Sequence, residues 1–183
     1  MFEKLLKKIA HILDAAAVPY MLIGGQAVLL YGEPRLTKDI DITLGVGIEG
    51  LEKLRTIATQ LGFSILVEDV ENFVQRTMVL PAVDTSSGIR IDFIFSFSPY
   101  ERGAIARSKK VDINGVVVHF AALEDVIIHK MIAGRPRDIE DIRSMLLKNP
   151  TYDLSYIETW LAQFDDSFDE HYVSEFQKIR DAL

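Results

Sequence analysis

The chain has 183 residues with 49% hydrophobic and 26% charged side chains, ordinary values for one compact domain that exclude a disordered, collagenous or low-complexity protein. No cysteine is present, which excludes a disulfide framework, a thiolate metal site and a cysteine nucleophile. Twenty basic against 27 acidic residues leave a net charge of −7, so bulk charge draws the protein neither to nucleic acid nor to an anionic membrane.

Phe2, Leu5, Leu6, Ile9, Ile12, Leu13 and Ala16 recur at helical spacing, and Glu3, His11 and Asp14 interrupt the segment, so it reads as an amphipathic first helix and not as a signal peptide. No membrane span is expected, and a cytoplasmic location follows. Tyr20–Ile23 reads as a buried strand, Gly24-Gly25 as a turn and Gln26–Tyr31 as a short helix that Gly32 and Pro34 end. Asp39–Leu44 alternates polar and apolar residues at the period of a half-buried strand, and Ile48–Leu61 is helical. Phe63–Val67, Arg76–Val83 and Ile89–Phe95 have strand character, the last two joined by a turn over 84–88. Asn114-Gly115 between Lys110–Ile113 and Val116–Phe120 marks a hairpin. From Ala121 onward the pattern is helical over Leu123–Ala133, Ile139–Leu147, Leu154–Phe164 and Phe168–Leu183, with Pro136 and Pro150 as breakers. Strands followed by helices predict an α+β protein, a sheet domain over residues 1–120 carrying a helical part over 121–183. An apolar stripe of Phe164, Phe168, Tyr172, Phe176 and Ile179 is expected to pack on the core.

Asp39 and Asp41 stand two residues apart on a strand and therefore share a face, within roughly 7 Å of each other. Such a pair repels unless a cation sits between. In Arg90–Phe95 the residues Ile91, Phe93 and Phe95 share one face and Asp92 lies on the other. If the two strands are neighbours, Asp92 completes a set of three hard oxygen ligands suited to Mg²⁺. The alternative is three solvated carboxylates on a polar sheet face. Gly24-Gly25, between a strand and a helix start, is placed to offer backbone N–H groups to phosphate, or simply to turn the chain.

Leu22 to Ala27 with its Gly24-Gly25 pair, then Gly32, Arg35, Thr37, Asp39-Ile40-Asp41 and the isolated Asp92, resemble the DNA polymerase β-like nucleotidyltransferase superfamily. Within it the chain is most similar to the small bacterial AbiEii and MenT proteins, and 130–141, from Lys130 through Arg135, Arg137 and Asp138 to Asp141, resembles their helical motif. The resemblance covers roughly residues 20–145 and implies a mixed sheet flanked by helices as the core. It implies an enzyme that moves a nucleoside monophosphate from an NTP, such as ATP, to a hydroxyl and releases pyrophosphate. Asp39, Asp41 and Asp92 would be the metal ligands, for two Mg²⁺ or alternatively Mn²⁺, with Asp92 also accepting the proton of the attacking hydroxyl. Gly24 and Gly25 would hold the β- and γ-phosphates, Lys130 the remaining triphosphate charge, and Arg35 and Thr37 would touch phosphate or acceptor. Arg135, Arg137, Asp138 and Asp141 would form an ion-pair network behind Lys130. The acceptor stays open among a tRNA or other RNA, a protein and a small molecule. A toxin role with an antitoxin protein as partner is implied by the AbiEii and MenT likeness. The alternative is a catalytically silent nucleotide-binding or protein-interaction module of the same fold; Gln26, where several branches of the superfamily carry serine, favours it.

Gly45-Val46-Gly47-Ile48-Glu49-Gly50 matches a dinucleotide fingerprint, but the preceding strand carries alternating charges, against that reading. The two glycines are expected to turn the chain at the border of the metal site. His11, His119, His129 and His171 have no zinc spacing, and neither a P-loop nor a G-x-S-x-G motif occurs. Arg102, Arg107, Lys109 and Lys110, alone or with Arg35, Lys38 and Arg90, form either a polynucleotide-binding patch or an ordinary solvated face.

Overall fold

A computed structural model describes residues 2–96 and 98–183. The chain divides into two compact units, one of residues up to Gly25 with Thr37–Ala121, the other of Gln26–Leu36 with Ala122–Leu183. Among the described residues no helix is long and apolar enough to cross a membrane.

The first unit is built on a seven-stranded sheet whose strands are β1 (Tyr20–Ile23), β2 (Asp39–Leu44), β3 (Phe63–Ile65), β4 (Val79–Asp84), β5 (Arg90–Phe95), β6 (Lys109–Ile113) and β7 (Val116–Phe120). Their spatial order is β3-β4-β5-β2-β1-β7-β6. β2 runs parallel to β5 and β1 parallel to β7, and the other neighbours are antiparallel, so the sheet is mixed and the α+β class holds. Period-two alternation decides its two faces. Ile40, Ile42 and Leu44 of β2 and Ile91, Phe93 and Phe95 of β5 are fully buried on one side, while Asp39, Asp41 and Asp92 are half-buried on the other. Helix α1 (Phe2–Ala15) buries Leu5, Leu6, Ile9 and Leu13 of the stripe its spacing predicts, with Ala10 beside them, while Phe2 and Ile12 are half-buried; α3 (Leu51–Leu61) buries Leu54, Ile57, Ala58 and Leu61.

Helix α2 (Gly24–Tyr31) starts two residues earlier than the sequence pattern indicates. Gly24-Gly25 is thus the first turn of the helix, and only Gly24 takes a positive φ, +61°. Two further helices were absent from the sequence reading. The first, α4 (Val70–Thr77), includes Arg76 and Thr77, which the pattern assigned to a strand; the Asp69 carboxylate accepts a bond from the Asn72 N–H and caps it. The second, α5 (Pro99–Ala106), has a capping box between Ser98 and Glu101 and proline in its first turn.

The second unit holds α6 (Leu123–Ala133), α7 (Pro136–Lys148), α8 (Leu154–Phe168) and α9 (Tyr172–Asp181). Gly134 in the left-handed region (φ +60°) ends α6 by donating to the Lys130 carbonyl, and Pro136 opens α7 two residues later. Phe168 ends α8, where the pattern placed it at the start of the last helix. Its ring is 55% exposed, whereas Phe176 and Ile179 are buried as expected. The segment 31–35 is sewn onto α7. Asn149 Nδ2 donates to the Tyr31 carbonyl (2.7 Å), Lys148 Nζ to the Gly32 carbonyl (3.1 Å), and the Glu33 N–H to Ser144 Oγ (3.2 Å).

Candidate active site on the carboxylate face

The site is a consequence of register. Asp41 of β2 is the direct partner of Asp92 of β5, and Asp39 is the partner of Arg90, so four charged residues occupy two adjacent positions on each of two parallel strands. In a parallel pair, partners point to the same face, and strands lie about 4.8 Å apart. The three carboxylates expected to act together therefore share one face. Asp41 also faces Ile23, the last residue of β1, and Asp92 faces Pro81 of β4.

Gly24 follows Ile23, and a Cβ placed on it would fall 2.0 Å from Asp41 Oδ2. Glycine is thus required twice, by the left-handed backbone and by the carboxylate lying against it. Asp41 therefore sits at the first residue of α2, the positive end of that helix. The sequence reading gave this place to phosphate; here an aspartate carboxylate holds it. Asp92 is turned toward its own strand, and Arg90 Nε donates to both of its carboxylate oxygens at 3.0 and 3.1 Å. Thr37 Oγ1 donates to the Asp39 carbonyl at 3.1 Å, a local turn bond.

Among the described residues, no three Asp, Glu or His side chains are gathered as a metal cluster in the rotamers present. In kind the donors suit a hard divalent cation: three carboxylates, all oxygen, none deeply buried, on one face of two paired strands.

Lys130 and Arg35 lie in the second unit, and both are engaged there. Lys130 Nζ is 2.5 Å from Asp138 Oδ1 and 2.9 Å from Asp141 Oδ2, with all three side chains more than nine-tenths buried. Arg35 Nε is 3.1 Å from Asp141 Oδ1, and Arg135 Nε is 2.6 Å from Asp138 Oδ2. An ion-pair network exists, but its membership differs from the expected one: Lys130 is its centre and Arg35 joins it. Arg137 donates to the Leu36 carbonyl. Burial works to raise the Asp138 carboxyl, but hydrogen bonds from Arg135 and Lys130, together with their charges, hold it below the usual carboxylate range.

Two sequence expectations are corrected by placement. Gly45 and Gly47 follow the far end of β2, where the Gly45 N–H donates to the Pro19 carbonyl and the Gly47 N–H to Glu49, so this loop does not border the carboxylates. Arg90 does not join the lysines of β6 in one patch. Lys109 and Lys110 lie on β6, three strands from β2, while Arg90 is committed to Asp92 on the opposite side of β2. A cavity of about 460 Å³ lined by Asp14, Tyr20, Ser108, Lys110 and His119, which the sequence reading did not anticipate, lies near the Leu44 end of β2 and is separate from the carboxylates. Ser108 Oγ and His119 Nδ1 are 3.2 Å apart there, and burial chiefly pushes the Tyr20 hydroxyl up to about 12.

A mixed sheet with aspartates on adjacent parallel strands, preceded by a strand–glycine–helix step, defines a protein of the nucleotidyltransferase class. The chain belongs to the family described as nucleotidyltransferase of unknown function (DUF6036), whose family model matches residues 1–180. A comparison with curated proteins found no match. Among solved structures, the chain is similar to the antibiotic-resistance factor ANT(2'')-Ia in solution (19% identity, TM-score 0.63, covering 91% of this chain and 92% of that one). It is also similar to an antigenic nucleotidyltransferase-like protein from Paracoccidioides brasiliensis (18%, TM-score 0.58, 91% and 88%). A third likeness is to the lincosamide antibiotic adenylyltransferase LnuA bound to lincomycin (16%, TM-score 0.55, 78% and 94%). At these identities the likenesses establish the fold.

Proposed function

We propose that the protein is a divalent-metal-dependent nucleotidyltransferase that moves a nucleoside monophosphate from an NTP to a hydroxyl acceptor and releases pyrophosphate. The observation that carries this reading is the β2–β5 register, which sets Asp41 beside Asp92 with Asp39 on the same face. Asp39, Asp41 and Asp92 would hold the cation, Mg²⁺ or Mn²⁺. When bound, it supplies Lewis-acid stabilisation of charge on the transferring phosphoryl group and its leaving oxygen. Asp92, beside the apolar Pro81, is the residue we assign to receive the proton of the attacking hydroxyl. Gly24 and Gly25 would offer the N-terminal backbone of α2 to the nucleotide phosphates. Thr37 fixes the chain entering β2. Arg35 and Lys130 enter the proposal as braces of the second unit, because both already meet buried carboxylates.

Two structural neighbours, ANT(2'')-Ia in complex with adenylyl-2''-tobramycin and LnuA bound to lincomycin, support a small-molecule hydroxyl as acceptor. An RNA or protein acceptor, with an antitoxin partner, follows instead from the AbiEii and MenT resemblance. One observation favours a second reading, a catalytically silent nucleotide-binding module: Arg90 engages both carboxylate oxygens of Asp92.

The test is the thermal midpoint with each of the four NTPs, with and without Mg²⁺, beside Asp39→Asn/Asp41→Asn. Ligand at 100 times its Kd stabilises by about 2.7 kcal/mol, or about 5–10 °C for a chain of this size. A Mg²⁺-dependent shift that the variant loses is expected, followed by pyrophosphate release once a hydroxyl acceptor is supplied. Absence of any shift at millimolar NTP refutes the transferase reading. A shift without pyrophosphate release from any acceptor class supports the silent module.

A further inference from the structure

Of the register partners of the three carboxylates, Ile23 and Pro81 are apolar, Asp41 and Asp92 face each other, and the single cation is Arg90. Arg90 stands beside Asp39 across the strand pair and two residues before Asp92 on its own strand, so the guanidinium and all three carboxylates project from one face. Its Nε donates to both oxygens of Asp92, the carboxylate that the reading above assigns to the cation. The Arg90 side chain is 54% exposed against 18% for Asp92. The guanidinium is therefore the more solvated of the two partners.

Resting on the divalent-cation reading above, we propose that Arg90 is a built-in counter-ion that occupies Asp92 in the metal-free protein and is displaced when the divalent cation binds. Arg90 places a positive charge against Asp92 on the face that also carries Asp39 and Asp41. It also makes the cation compete for Asp92, which lowers the affinity of the empty site for free metal. Release of the guanidinium is then the step by which Asp92 becomes available to metal and acceptor. Arg90 is a positioning residue and touches neither metal nor substrate in this role.

The experiment is Mn²⁺ binding in the absence of nucleotide, followed by the free-Mn²⁺ electron paramagnetic resonance signal, on the full chain as wild type, Arg90→Gln, Arg90→Lys and Asp41→Asn. Arg90→Gln is expected to bind Mn²⁺ about two- to five-fold more tightly, the size of a part-exposed ion pair removed from competition. Arg90→Lys keeps the charge and is expected to stay near the wild-type affinity. The thermal midpoint of Arg90→Gln should lie below the wild type in chelator and converge on it at saturating Mn²⁺. An arginine that merely braces the strand predicts the same deficit in both conditions and no tightening, and that outcome overturns the proposal. Binding that Asp41→Asn abolishes but Arg90→Gln leaves unchanged removes the counter-ion role alone. No Mn²⁺ binding by any variant removes the cation reading and, with it, this one.

Discussion

Gly24→Ala tests the junction between the β1–α2 step and Asp41 most directly. At φ +61° an L-residue is strained by about 1–2 kcal/mol. The new methyl would stand 2.0 Å from Asp41 Oδ2 and 2.9 Å from its Cγ, so the carboxylate must retreat by roughly 1.4 Å to reach ordinary contact. Moving that side chain off its well adds about 0.5–1.5 kcal/mol. The stiffer unfolded chain returns about 0.5 kcal/mol. A net loss of about 2 kcal/mol follows, or about 4–8 °C in the thermal midpoint of a chain this long. Urea unfolding of Gly24→Ala, Asp41→Ala and the double variant separates the two contributions. The backbone strain should persist in the double variant, and the steric part, about 0.5–1.5 kcal/mol of coupling, should vanish there. A Gly24→Ala protein as stable as the wild type, or one equally destabilised with and without the Asp41 carboxylate, refutes the reasoning.

Three further outcomes concern the second unit. Lys130→Met leaves the buried Asp138 and Asp141 facing each other and should lose about 3 kcal/mol in urea unfolding; a loss below about 1 kcal/mol would show that Arg35 and Arg135 suffice. Because the folded state depresses the Asp138 carboxyl, its contribution is fully present above the unfolded carboxylate range near about 4 and is lost as pH falls below it. Asp138→Asn should therefore flatten the midpoint-against-pH curve below about pH 4, and an unchanged slope counts against the network. Burial pushes His129 down to about 4, so the unfolded chain takes up its proton first. Stability should decline as pH falls from about 6.5 toward 4, with this residue contributing at most about 1.4 kcal/mol per pH unit; His129→Gln should remove that slope, as read by urea midpoints at pH 7, 6 and 5.

The strands that carry the carboxylates were legible because their signal is local. Ile40, Ile42 and Leu44 alternate with Asp39, Asp41 and Thr43, and Ile91, Phe93 and Phe95 alternate with Arg90 and Asp92. What no local pattern contains is which strands pair, and the site depends on a parallel β2–β5 contact between residues about 50 apart. The role of Arg90 follows from the same alternation, since a residue two before Asp92 on a strand must share its face, yet its charge grouped it with distant basic residues. Helix α5 carries a local signal in Ser98, Pro99 and Glu101, whereas α4 has only two buried residues, Val70 and Val74, too few for a periodic one. The Lys130 network was visible as a set of charges. Its geometry was not, because it depends on the sharp break at Gly134–Pro136 that folds Asp138 back onto a lysine eight residues earlier.

The two outer strands of the sheet bear on how the molecule behaves in a crowded solution. A seven-stranded sheet ends in two rows of unpaired backbone groups, each a template onto which another chain could add. On one side β3 is only three residues long, too short to recruit a neighbour. On the other, β6 begins with the exposed Lys109 and Lys110 and turns back at the Asn114-Gly115 hairpin, so an incoming strand would have to strip water from two ammonium groups at its first pairing positions. The short strand at one margin and the two lysines at the other are both features that disfavour the addition of a further strand.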